Sequence, residues 1–150
     1  MAKKILILED NADRRAAMRE CLQDRLYQFE TTFFDEAEAM IRSIQENWNQ
    51  LQLIVLDHDL ELKSDDASGK CVDPGTGRSV AEFLARRTPT CPVVIHTTNS
   101  TAAVAMEELL REAQWETHRV VPWGDLEWIP TQWFRAVRRA IVGRIKTVSK

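Results

Sequence analysis

Two short apolar runs in this chain end in acids. Residues 4–8 (KILIL) deliver Glu9 and Asp10, and residues 51–56 (LQLIVL) deliver Asp57, followed by His58 and Asp59. In open α/β sheets ligand chemistry gathers beyond the carboxyl ends of the strands, so acids placed there are poor candidates for mere solubilising decoration. Carboxylates gathered in one cleft repel one another and raise each other's pKa unless a cation sits between them. Mg2+ suits such a place, because it takes oxygen ligands, keeps several waters and completes its shell with a phosphate oxygen. Glu9, Asp10 and Asp57 are therefore the expected metal ligands, and a phosphoryl group the expected partner. The competing reading is that Glu9 and Asp10 only open a helix whose dipole favours acids, while Asp57 only caps a turn.

Further side chains fall near the same edge. His96 ends the run 93–96 (VVIH), where an imidazole titrating near neutrality can protonate a leaving oxygen or touch phosphate; the alternative is a hydrogen-bonded core histidine. Strand alternation sends His58 to the opposite side from Asp57 and Asp59, so a catalytic role needs a sharp turn after Asp57, and bracing a loop is the competing role. Asp59 can orient a histidine or ligate metal, or simply satisfy a turn. Thr97 and Asn99 can bind substrate or cap the next helix. Arg14 lies one turn past the acids, where a guanidinium can fork onto phosphate or stay solvated.

The elements needed to position these groups are legible. Residues 3–8 read as a strand, and Asn11 or Asp13 then caps a helix to about Arg25. Tyr27 to Phe34 reads as a second strand, with a helix opening at Asp35 on Ala39, Met40, Ile41 and Ile44. A third strand covers 51–57, and Glu61 to Gly77 is one long polar loop. A helix from about Arg78 to Arg87 precedes the strand 93–96; a helix to about Ala113 and a strand from Thr117 to Val121 follow. The chain closes helically from Pro130 to about Lys146, with Trp133, Phe134, Val137, Ile141 and Ile145 on one face and arginines on the other. Trp115, Trp123, Trp128 and Trp133 are expected in the core.

Five β-α repeats predict a doubly wound, flavodoxin-like parallel sheet of order 2-1-3-4-5, because each crossover must be right-handed and must cover a sheet face. That order sets the first and third strands side by side at the topological switch point, bringing Glu9, Asp10 and Asp57 together.

The 150 residues suit a single domain spanning 1–150. A formal charge of −3 gives no footprint for nucleic acid, and Arg135, Arg138, Arg139 and Arg144 read as a solvated stripe with no DNA-binding appendage after it. Cys21, Cys71 and Cys91 are odd in number and lack C-x-x-C spacing, which suggests reduced thiols. No apolar run approaches the ~20 residues of a membrane span, and the first residues, MAKK, lead straight into a strand, so a cytoplasmic protein is expected.

The pattern ILILED at 5–10, LIVLD at 53–57 and PVVIHT at 92–97 resembles the receiver domain of two-component response regulators over almost the whole chain. The resemblance implies that Glu9 and Asp10 match the acidic metal-binding pair, Asp57 the phosphoacceptor and Thr97 the hydroxyl that contacts the acyl phosphate. One position departs: where receivers carry a lysine before proline at the end of the fifth strand, this chain has Val121 before Pro122. Loss of that fixed cation counts against an ordinary phosphorylation switch. The run LDHDL at 56–60, Thr76-Gly77 opening a helix, and His96 followed by Asn99 and Met106 look like a divergent branch, the cyclic-phosphate processing receiver domain.

That branch implies a Mg2+-dependent phosphoesterase acting on a phosphate-bearing small molecule through a metal, the two histidines His58 and His96, and Asn99; the reading of the residues themselves adds Asp57 as catalytic and Thr97, Arg14 and Asp59 near the substrate. The alternative is a single-domain response regulator that accepts phosphate on Asp57 from a phosphodonor protein. A third is a degenerate receiver that only binds a protein partner. The tryptophan-rich last third lies near the face that receivers use for partners, so a homodimer is compatible with each.

Overall fold

A computed structural model describes residues 2–61, 63–65 and 70–148, the side chains of 63–65, 70–72 and 144–148 excepted. Five parallel strands form the central sheet: β1 (Lys4–Leu8), β2 (Glu30–Phe34), β3 (Leu51–Leu56), β6 (Val93–His96) and β7 (Thr117–Val120), in the order β2-β1-β3-β6-β7. This is the predicted 2-1-3-4-5 arrangement. Helices α1 (Ala12–Arg25) and α5 (Phe134–Val148) cover one face, and α2 (Ala37–Glu46), α3 (Gly77–Ala85) and α4 (Ser100–Glu112) the other.

Strands buried on both faces must be apolar at every position, which is why β1, β3 and β6 read as near-continuous Ile, Leu and Val. Side chains still alternate. Leu6, Leu8, Ile54, Leu56, Val93 and Ile95 pack beneath α2, α3 and α4 with Met40, Val80, Leu84 and Met106. Ile5, Ile7, Leu53, Val55 and Val94 pack against α1 and α5 with Met18, Leu22, Val137 and Ile141. Each fully buried aliphatic side chain contributes roughly 1.5–3 kcal/mol of transfer free energy.

Strand register decides the rest. Leu8 lies opposite Leu56, and Leu56 opposite Ile95. The next residues in that row are Glu9, Asp57 and His96. They continue the alternation Ile5, Ile7, Glu9 and Leu53, Val55, Asp57, so their side chains belong to the face that α1 and α5 cover. The ladder extends this far, with Glu9 N–H donating to Phe34 O at 2.9 Å and Asp57 N–H to Leu8 O at 3.1 Å.

The sequence expectation needs correcting in several places. The second strand starts at Glu30, because Leu26 caps α1 and the following turn leaves Tyr27 in solvent. The polar stretch 61–77 is not all loop: β4 (Lys63–Asp65) pairs antiparallel with β5 (Lys70–Val72). Trp115, Trp128 and Trp133 are buried as expected, but Trp123 is half exposed and its indole N–H donates to Gln132 Oε1 at 2.9 Å. The final helix opens with a π-helical turn at Ile129–Trp133, where Trp133 N–H reaches Trp128 O at 2.9 Å. Pro130 has no N–H to give, and the wide turn aims both tryptophans inward. The side chains of Arg144 and Ile145 lie outside the described residues.

Candidate functional site

Glu9, Asp57 and His96 come from three adjacent strands and are all buried, and one ligand atom from each lies within 4.8 Å of the others. Glu9 is fully tied down. Its Oε1 takes the His96 Nε2 contact at 3.1 Å, its Oε2 accepts Asn11 N–H at 3.0 Å, and Arg15 Nε donates to its backbone carbonyl. Asp57 accepts only the His58 N–H, at 2.7 Å on Oδ1, among the described residues. Arg14 Nη1 stands 3.6 Å from Glu9 Oε1 and 3.9 Å from Asp57 Oδ2.

These surroundings drive the two carboxyls apart. For Glu9, burial pushes the pKa up, but the His96 hydrogen bond and charge, the Asn11 N–H and Arg14 together hold it below the usual value. For Asp57, burial dominates and is reinforced by Glu9; the opposing pulls of His96, the His58 N–H and Arg14 leave it at about 6. Asp57 is thus the carboxylate with unmet demand for positive charge.

The helices around the site are placed by caps. Asn11 Oδ1 accepts Arg14 N–H at 2.9 Å, which starts α1 and fixes where Arg14 projects. Gly77 begins α3 hard against β3: its N–H donates to His58 O at 3.1 Å, and a Cβ there would stand 2.0 Å from Asp57 O. Only glycine permits that approach. Trp128 forms the floor, with its ring centroid 5.5 Å from that of His96 and 5.3 Å from the Arg14 guanidinium carbon.

The structure brings together some of the residues singled out in the sequence and separates others. Asp10 is absent from the metal-sized cluster; its Oδ2 accepts the Glu61 N–H and anchors the segment after β3. His58 follows strand alternation away from Asp57, and its Nδ1 lies 3.0 Å from Asp59 Oδ1, so Asp59 orients that ring. Asn99 caps α4, accepting Ala102 N–H at 3.0 Å, and buried Thr97 accepts Asn99 N–H on Oγ1 at 3.1 Å. His96 is fully buried beside Glu9, with Nδ1 unpartnered among the described residues. Val121 is exposed, and among the described residues no lysine reaches Asp57 within 4.0 Å. Sequence reasoning missed the floor residue Trp128; its only signal was a tryptophan-rich segment next to a proline.

The donor set fits a divalent cation: two buried carboxylates provide hard oxygen ligands, and the imidazole adds a nitrogen that Mn2+ and later transition ions accept more readily than Mg2+. The unmet charge demand at Asp57 points the same way.

Comparison with known proteins agrees with this architecture. No curated protein matches the chain. Among solved structures it is similar to the phosphorylated cyanobacterial phytochrome response regulator RcpA, with TM-score 0.67, 17% identity and 93% of each chain covered. It is similar to the Mn2+-bound response regulator Rcp1, with TM-score 0.63, 21% identity, 91% of this chain and 92% of that one covered. A response regulator receiver domain from Clostridium thermocellum gives TM-score 0.64, 19% identity and coverage of 97% and 98%. At these identities the likeness is one of fold. The family model described as "Cyclic-phosphate processing Receiver domain" matches residues 4–112.

Proposed function

The chain belongs to the cyclic-phosphate processing receiver domain family, and from that premise we propose that it is a divalent-metal-dependent phosphoesterase that opens a cyclic phosphate. The observation that carries this is the meeting of Glu9, Asp57 and His96 ligand atoms within 4.8 Å at the carboxyl edge of the sheet. Glu9 and Asp57 would hold the ion, Mg2+ suiting the carboxylates and Mn2+ gaining more than Mg2+ from the histidine beside them. Bound there, the ion supplies Lewis-acid polarisation of a phosphoryl oxygen.

The remaining work falls to the chain's own groups. Arg14, partly exposed and within 4 Å of both carboxylates, binds the anionic phosphoryl oxygens. Ring opening adds water to phosphorus and breaks one P–O ester bond, so the leaving oxygen needs a proton. The attacking water releases one as it bonds to phosphorus, while His58, turned away from Asp57 by strand alternation and held at Nδ1 by Asp59, braces the segment after β3. His96, wholly buried on Glu9, orients that carboxylate and excludes water from behind it. Thr97 and Asn99 shape the wall through the α4 cap, and Asp10 holds the approach through Glu61.

The test is turnover of 2′,3′- and 3′,5′-cyclic nucleotides with Mg2+ or Mn2+. Metal-dependent product release that Asp57→Asn abolishes is expected. No release across the panel, together with a stable acyl phosphate on Asp57 after treatment with acetyl phosphate, would decide for the response-regulator alternative.

A further inference from the structure

The gap between Glu9 and Asp57 already contains a cation that belongs to the chain. Arg14 Nη1 lies 3.6 Å from one carboxylate and 3.9 Å from the other. Among the described residues, no other lysine or arginine comes within 4.0 Å of either. Both distances are ion-pair separations, longer than the roughly 2.7–2.9 Å of a charge-assisted hydrogen bond, so the guanidinium leans on both acids and grips neither. Its placement is costly for the helix: Arg14 is the third residue of α1, and the positive end of the helix dipole repels a cation there. The two carboxylates supply the compensating attraction.

Arg14 also rests on an aromatic face: its guanidinium carbon sits 5.3 Å from the ring centroid of buried Trp128, and its side chain is 30% exposed. A divalent ion placed between Glu9 and Asp57 would stand against the guanidinium, and two cations so close repel strongly.

We propose that Arg14 is the resident counter-ion of this site: it competes with the divalent ion for Glu9 and Asp57 and, once displaced along Trp128, presents its guanidinium to the phosphoryl oxygens of the ligand. This rests on the metal-site reading above and adds to it an order of events, in which the ion enters first and the anion second. Arg14 thereby couples metal loading to phosphate capture, and Trp128, outside the 4–112 span of the family match, is its positioning residue.

The experiment uses the full chain and two probes. Mn2+ alone is titrated into wild type, Arg14→Met and Arg14→Lys, with the free ion followed by electron paramagnetic resonance. Inorganic phosphate is then titrated at saturating Mn2+. Arg14→Met should bind Mn2+ about tenfold more tightly than wild type and phosphate about tenfold more weakly, with Arg14→Lys between them. Mn2+ should also change wild-type tryptophan fluorescence, and Trp128→Phe should remove most of that change. Thermal melts identify any variant that has lost its fold. If Mn2+ binds wild type but Arg14→Met binds it no more tightly, the counter-ion role is overturned while the metal site stands. If Mn2+ binds none of the three, both fail. Unchanged phosphate affinity in Arg14→Met overturns the capture step.

Discussion

Asp57 sits where its charge is least comfortable, and pH should reveal it. Burial and Glu9 leave its pKa at about 6 against an ordinary 3.8, in spite of His96, the His58 N–H and Arg14. A raised carboxyl means that the folded state holds its proton more tightly than the unfolded state. The associated stability is complete below the unfolded value and is lost as pH rises through about 6. The difference amounts to about 3 kcal/mol in the metal-free protein. Asp57→Asn should therefore raise the metal-free melting temperature at pH 8 and leave it nearly unchanged at pH 4, which thermal denaturation across that range checks. The ion must displace the same proton, so metal affinity should fall about tenfold per unit as pH drops below about 6, measurable by Mn2+ titration. Glu9 behaves oppositely: held below its usual value, it contributes stability that is lost on acidification. His96→Ala leaves buried Glu9 without its imidazole partner and should cost roughly 2–4 kcal/mol in chemical denaturation, beyond the loss of any activity.

At the scale of elements, the site depends on how closely α3 crosses the end of β3. Gly77 touches the Asp57 carbonyl where no Cβ fits, and its N–H closes the turn on His58 O. Gly77→Ala must push α3 away from β3, and overpacking of this kind costs about 1–3 kcal/mol. Because the displaced atoms belong to Asp57, Mn2+ affinity should fall together with stability. Gly77→Ala binding Mn2+ as wild type does would show that the contact is not what holds Asp57 in place. The π-helical turn at Ile129–Trp133 has the same kind of role, since its width lets Trp128 reach both His96 and Arg14 while Trp133 packs at a 6.5 Å centroid distance from His96.

For the molecule as a whole, the family match ends at residue 112, but the buried face of the sheet does not. Trp128, Ile129, Trp133, Val137 and Ile141 cover Ile5, Ile7, Val55 and Val94, so the segment after α4 closes one of the two cores and floors the site. A chain cut after Glu112 would expose that face and is expected to lack a cooperative unfolding transition and to bind a hydrophobic dye, as circular dichroism and fluorescence would report. No helix among the described residues is long and apolar enough to cross a membrane.

Much of this was written locally. Apolar runs with acids at their carboxyl ends, helical spacing between them and five repeats were enough for the 2-1-3-4-5 sheet and for the meeting of Glu9 with Asp57, because strand alternation and right-handed crossovers depend on neighbouring residues and on chirality. Tertiary structure alone decided that Asp10 turns to Glu61, that His96 pairs with Glu9, and that Trp128 lies beneath Arg14. Those pairings link residues 51, 87 and 114 positions apart, and they follow from strand register and from the path of a distant turn, which no local periodicity encodes.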